Sequence, residues 1–152
     1  MPIYMQIPGL TGGVTDSKHQ GTFEIDSFQW GVADTTNSSS GTGAGAGKVT
    51  FNPITITKKL DKGSVSLFLL AAQGTIIKEL DLTVLTSESG AVSETLMFKE
   101  VVVVSYMQRD DAGGPIQEVL SLEFGAISLS TPTGANGSNE TGGWDLGSNE
   151  SS

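Results

Sequence analysis

Apolar and polar residues alternate through most of this chain, the period of strands with one buried face. Ile3, Met5 and Ile7 alternate with Tyr4 and Gln6 and predict a first strand, ended by Pro8-Gly9 and Gly12-Gly13. Phe23 to Trp30 read as a second strand, with Phe23 and Ile25 on one face and Phe28 and Trp30 on the other. Apolar groups on both faces predict burial on both sides, by the core and by a neighbouring subunit. Val49 and Phe51 share one parity, whereas Ile54 and Ile56 take the other, and such a switch needs an irregularity. Pro53 sits at the switch and, lacking an amide hydrogen, belongs at a bulge or an edge. Ile76, Leu80, Leu82 and Val84 predict another strand, and Leu96 to Tyr106 one more, with Val101 to Val104 apolar on both faces. Turn formers cluster from Arg109 to Pro115. Leu120, Leu122 and Phe124 then alternate on one face, and Gly125 lets Ile127 and Leu129 alternate on the other.

One segment breaks the two-residue period. Between Ser64 and Gly74, Val65, Phe68, Leu69 and Ala72 form an apolar stripe at helical spacing, which Leu67, Leu70 and Ala71 widen. Ser64 suits an N-cap, and Gly74 suits the left-handed residue that closes a helix. A helix apolar nearly all round is expected to be buried, here against sheet and partner together. Many short strands with one helix near 64–74 predict a mainly β protein, a two-sheet barrel or sandwich with the helix on its flank. Residues 1–130 read as one β-barrel domain. Residues 131–152 read as a tail rich in Gly, Ser and Asn, with a short closing strand near 144–146.

Composition narrows the function. The 152 residues carry 8 Lys and Arg against 17 Asp and Glu, a net charge of −9. That balance argues against nucleic acid, whose binding rests on cations neutralising phosphates, and against an anionic membrane surface. No stretch approaches the roughly 20 apolar residues of a membrane span. The start, Met1 to Gln6, lacks the basic and apolar regions of a signal peptide, so folding is expected in the cytoplasm and any export by a route needing no such peptide. With no Cys there is neither a disulfide framework nor a thiolate metal site.

Catalytic chemistry finds little support. Gly41 to Val49 invites a phosphate-loop reading, but that pattern needs Gly at 42 and Ser or Thr at 49, where Thr42 and Val49 stand. A helix should follow the loop to aim amides at phosphate, and a strand is predicted instead. His19 is the single His, among Asp16, Ser17 and Lys18, where a polar turn is the ordinary expectation. Carboxylates are numerous, so counting alone leaves a two-carboxylate hydrolase open. Asp145 beside Trp144 allows a sugar platform, although an aromatic anchoring a terminal strand is commoner. No catalytic residue, metal ligand or cofactor site is assigned.

Thr35 to Gly47 is a stretch of Ser, Thr, Gly and Ala with Asn37, too long to be mere connection in a small domain. Together with its flanks it resembles the Hcp family, whose members form the secreted inner tube of the bacterial type VI secretion system. The matching features run in order: His19-Gln20-Gly21, Glu24 to Gly31, Gly45 to Val49, Ile56 to Lys62 leading into the helix, Lys99 to Ser105, and Gly143-Trp144-Asp145-Leu146. The glycine turn before Asp16 lacks the Glu-Ser often seen there, and Val65 stands where Pro commonly opens the helix. The resemblance implies a ring of six identical subunits, rings stacked into a tube under a spike and inside a contracting sheath, and effector proteins held in the channel. Phage-like or extracellular contractile machines use a similar tube protein. A carbohydrate-binding β sandwich is a more distant alternative. Subunit and ring contacts are expected from Ser38, Ser39, Ser40, Gly41, Thr42, Gly43, Ala44 and Gly45, and from Leu67 and Leu70 on the helix.

Overall fold

The computed structural model describes residues 1–34, 49–88, 90–110, 112–132, 138–148 and 150–151. Among them the order is β1 (Ile3–Gln6), β2 (Phe23–Ile25), β3 (Ser27–Asp34), β4 (Val49–Lys59), α1 (Ser64–Gln73), β5 (Ile76–Leu85) and β6 (Val92–Arg109). Then follow β7 (Gln117–Glu123), β8 (Ala126–Pro132), β9 (Asn139–Asp145) and β10 (Glu150–Ser151). The strands pair antiparallel and their pairings close a circle. β1 pairs with β5, β5 with β6, β6 with β7, β7 with β4 and β4 with β3. β3 is continuous with β2, which returns to β1. The Asp26 amide, at the joint of β2 and β3, donates to the Thr57 carbonyl at 2.8 Å. β8, β9 and β10 extend one sheet outward from the first half of β6. The fold is the mainly β, two-sheet barrel with one helix that the patterning predicts.

The parity switches are the corners of this barrel. Phe23 and Ile25 are buried before Asp26, and Phe28 and Trp30 pack against the same core after it. The strand read as apolar on both faces is therefore two strands, each with one apolar face, in different sheets. Its second face needs no neighbour to cover it. In β6, Leu96 and Phe98 point inward before Glu100, and Val101 and Val103 after it. Glu100 itself takes φ 53°, a conformation that costs a non-glycine residue about 1 kcal/mol or more. Opposite it, the Gly125 amide donates to the carbonyls of Lys99 and Glu100 at 2.9 and 3.1 Å, so β6 and the β7–β8 ribbon bend together. Along β4 the register opposite Gln29 and Gly31 steps from Thr55 to Asn52, which puts Pro53 in the predicted bulge.

The helix starts one residue away from its expected cap. Gly63 is the N-cap, and a Cβ there would lie 2.3 Å from the Phe23 ring, so glycine is required. Gly74 closes the helix at φ 62°, as expected, with its amide and that of Thr75 on the carbonyls of Ala71 and Leu70. Leu67 is fully buried in the barrel core, with Leu70 and Ala71 packed partly buried behind it. Val65, Phe68 and Leu69 face outward, 70%, 45% and 44% exposed. Within the chain the helix is thus buried on the side that faces the barrel. At the C-terminal end, the closing strand is longer than Trp144–Leu146: β9 runs the length of β8, pairing Trp144 with Ile127 and Asn139 with Pro132.

Candidate assembly surfaces and a buried charge cluster

β4 and β7 lie in register with Ile54 opposite Leu122, Ile56 opposite Leu120, and Lys58 opposite Glu118. All six side chains point into the barrel, and the last two are ionic and fully buried. Lys58 Nζ lies 2.6 Å from Glu118 Oε1, donates to the Lys59 carbonyl at 2.8 Å, and stands 3.3 Å from Asp61 Oδ2. Glu118 also accepts from Ser64 Oγ at 2.7 Å and from the Tyr106 hydroxyl, which in turn accepts from Gln108 Nε2. Burial first, and then the bond to Glu118, push the Tyr106 phenol up to about 12. Ser64, expected to cap the helix, instead accepts from the Asp61 amide at 2.9 Å and donates into the cluster. Asp61 Oδ1 accepts from the Gly63 amide at 2.8 Å. Isolated ions at this depth cost several kcal/mol each, so the cluster persists because each charge is paired and hydrogen-bonded. It fastens the start of α1 to β4, β6 and β7.

This cluster is the feature that sequence reading missed, and a signal for it existed. Lys58 follows Ile54 and Ile56 on the inward parity, and Glu118 precedes Leu120 and Leu122 on theirs. A charge on an apolar face asks for a buried partner.

Three surface features surround the barrel. A groove of about 740 Å³ runs beside α1 over Leu60, Val65, Phe68, Leu69 and Tyr106, with the Phe68 ring edge-on to Tyr106 at 6.1 Å. A second groove of about 530 Å³ is lined by Tyr4, Asp16, Glu24, Asp26, Lys59 and Glu88, among others. His19 sits at the edge of this region, stacked on Tyr4 with ring centroids 4.0 Å apart and 3.4 Å from Asp16, in the polar turn expected of it. An apolar cleft separates Trp30, Val32 and Phe51 from Leu129 and Trp144, where Gly142 and Gly143 leave the face of β9 bare. Trp144 is a docked anchor here, packed against the core. Among the described residues, β3 pairs only with β4, and β9 meets β10 only at Trp144 and Asp145. Among the described residues, Phe28 to Asp34 and Asn139 to Gly143 thus pair with a strand on one edge only.

The contact residues expected from sequence divide in two. Ser38 to Gly45 lie outside the described residues. Of the helix pair, Leu67 is a core residue and Leu70 is half-buried against the core. The large apolar residues of α1 that face outward are Val65, Phe68 and Leu69. Helical periodicity gives the stripe but not which side of a wide stripe meets the barrel.

Among the described residues, the barrel thus combines two strand edges that pair with no other strand, open apolar faces, and buried charges locked in a structural cluster. Residues 4–130 match the family described as type VI secretion system effector, Hcp, and the chain belongs to that family. It is a type VI secretion tube protein, secreted and structural, and not an enzyme. A solved type six secretion system protein is 27% identical, with a TM-score of 0.88 and 99% of each chain covered. Hcp1 from Salmonella typhimurium is 22% identical, with a TM-score of 0.85, over 99% of this chain and 98% of that one. A type VI secretion system effector from Yersinia pestis is 15% identical, with a TM-score of 0.78, over 94% and 98%. No curated protein sequence matches the chain. No helix among the described residues is long and apolar enough to cross a membrane.

Proposed function

We propose that this chain closes into a homohexameric ring, that rings stack into the inner tube of the secretion machine, and that the channel carries effector proteins. The spike above the tube and the sheath around it are its further partners, and the machine delivers it to the target cell. The observation that carries the reading is the pair of unlike edges on β3 and on Asn139 to Gly143 of β9, without a second strand partner among the described residues, next to a cleft where Trp30, Val32 and Trp144 remain partly open. Exposed edges invite pairing with another chain, and a head-to-tail ring needs two different complementary surfaces on each copy. We assign the contact to the β3–β4 arm of one copy meeting the β9 side of the next. Ser38 to Gly45, which join β3 to β4, belong to this contact in the same reading.

Native mass spectrometry with light scattering tests it. Six copies are expected at micromolar concentration, and Val32→Lys, at a position 52% exposed in the single chain, should release monomers that keep their fold. A wild-type protein that stays monomeric in modest salt would sink the reading.

A further inference from the structure

The groove beside α1 and the carboxylate-lined groove are one surface. Leu60 and Asp61 line both, so an apolar trough about 740 Å³ in volume runs directly into an acidic one of about 530 Å³. The apolar half exposes Leu60, Val65, Phe68 and Leu69, all between 44% and 70% open. The acidic half gathers Asp16, Glu24, Asp26, Asp61 and Glu88 around one lysine, Lys59. That lysine is already bound to Asp26 at 2.8 Å, and the Lys58 ammonium near Asp61 is buried with Glu118. Among the described residues, no cation lies within ion-pair distance of Glu24 or Glu88. The field converges on Tyr4, whose phenol is pushed up first by burial and then by Glu24, Asp16 and Glu88.

We propose that this composite groove docks a basic, amphipathic segment of a different protein, its apolar side chains on Val65, Phe68 and Leu69 and its cations beside Glu24 and Glu88. Charge complementarity selects that occupant. Apolar anchors at helical spacing, followed by bases, are the pattern that fits a trough closed at one end by carboxylates. A second copy of this chain does not supply it. The chain carries −9 overall, and its adjacent bases, Lys58 and Lys59, are both engaged in its own barrel. Its other described bases, Lys18, Lys62, Lys78, Lys99 and Arg109, stand apart from one another in sequence. The inference does not depend on the ring reading, which uses β3 and β9.

The test uses the intact protein and three labelled peptides of about 15 residues, followed by fluorescence anisotropy. One has Leu at helical spacing with Lys elsewhere; the second has Glu for Lys; the third has Ser for Leu. The Leu–Lys peptide should bind at micromolar concentration, and each of the others at least tenfold more weakly. Val65→Ser with Leu69→Ser, both at open positions, should weaken binding about tenfold. Glu24→Gln with Glu88→Gln should weaken it several-fold and flatten its dependence on salt. Equal binding of the Leu–Glu peptide, or unchanged binding by both double variants, overturns the proposal. Native mass spectra of the same variants should match wild type. If the α1 variant loses its oligomer while keeping its fold, the groove is a contact between copies, and the proposal falls even though the ring stands. If wild type is monomeric yet binds the peptide as described, the ring reading falls and this one holds.

Discussion

Ile56 and Lys58 stand two residues apart on one face of β4, and both are fully buried. Ile56 meets Leu120 across the ladder, and Lys58 meets Glu118. The backbone treats the two rungs alike, but the chemistry does not. An apolar rung is favourable in proportion to the area removed from water, and a lost methyl leaves a smaller but still apolar contact. An ionic rung starts from a large desolvation cost that its partners must cancel, so its stability lies in the matching and not in the burial. Removing one member is then worse than removing both.

The sharpest break of the comparison is Glu118→Ala, which leaves the buried Lys58 ammonium with Asp61 as its one remaining counter-charge among the described residues. About 3–5 kcal/mol of stability should be lost by urea denaturation. Leu120→Ala, one rung away, should cost about 2–5 kcal/mol by opening a cavity. The two are told apart by rescue. Adding Lys58→Met to a Glu118→Leu variant should recover stability relative to Glu118→Ala, short of wild type by the bonds that Ser64 and Tyr106 also lose, whereas no partner change at Ile56 should recover Leu120→Ala. A double variant as unstable as Glu118→Ala would mean that the pair does more than satisfy itself.

Tyr106 sharpens the same contrast at lower amplitude. Its hydroxyl donates to Glu118, and Tyr106→Phe should cost about 1.5–3 kcal/mol, the range for a bond to a charged group. The phenol is held up to about 12 in the fold against about 10 in the unfolded chain. Below pH 10 both states keep the proton. Above it the unfolded chain releases the proton first, so stability should fall between about pH 10 and 12. Melting curves of Tyr106→Phe should lack that part of the alkaline loss; an identical alkaline slope would count against the bond.

The smallest effect is expected far from the ladder. Replacing Ser38 to Gly45 by a short turn removes no large apolar side chain and should leave the melting temperature within about 2 °C. Ring size and secretion should suffer instead. Failure to fold would show that the barrel depends on this segment, and unaltered tubes would show that assembly does not.

Much of the barrel was legible because alternation reports on local chain geometry. Ile3 to Ile7, Ile76 to Val84 and the Pro53 switch needed only neighbours a few residues apart. The switch at Asp26 was equally visible but ambiguous. Phe28 and Trp30 have the same parity whether a neighbour covers a second face or the chain turns into a second sheet. Only the pairing partners, β1 for Phe23 and β4 for Phe28, decide between those cases. Lys58 and Glu118 stood on apolar faces in the sequence, but their meeting spans 60 residues, a separation no local pattern encodes. Ser64 shows the same limit on a smaller scale. A hydroxyl at a helix start predicts a cap, yet here the buried carboxylate of Glu118 claims it. Which face of α1 turns outward was the least legible part, since Leu67 and Val65 belong to one apolar helix and differ only in which side the barrel occupies.

The 18-residue strand β6 also sets how the subunit bears load. Along one edge it is laddered to β5 from Val92 to Val102, and along the other to β8 and then β7 from Thr95 to Arg109. Tension along its axis is shared by all these bonds at once, in shear. Tension on β10 meets two residues at a time and peels them in turn. The subunit is therefore stiff along the axis of β6 and compliant at β10, where a pull opens the ladder one rung at a time and at lower force.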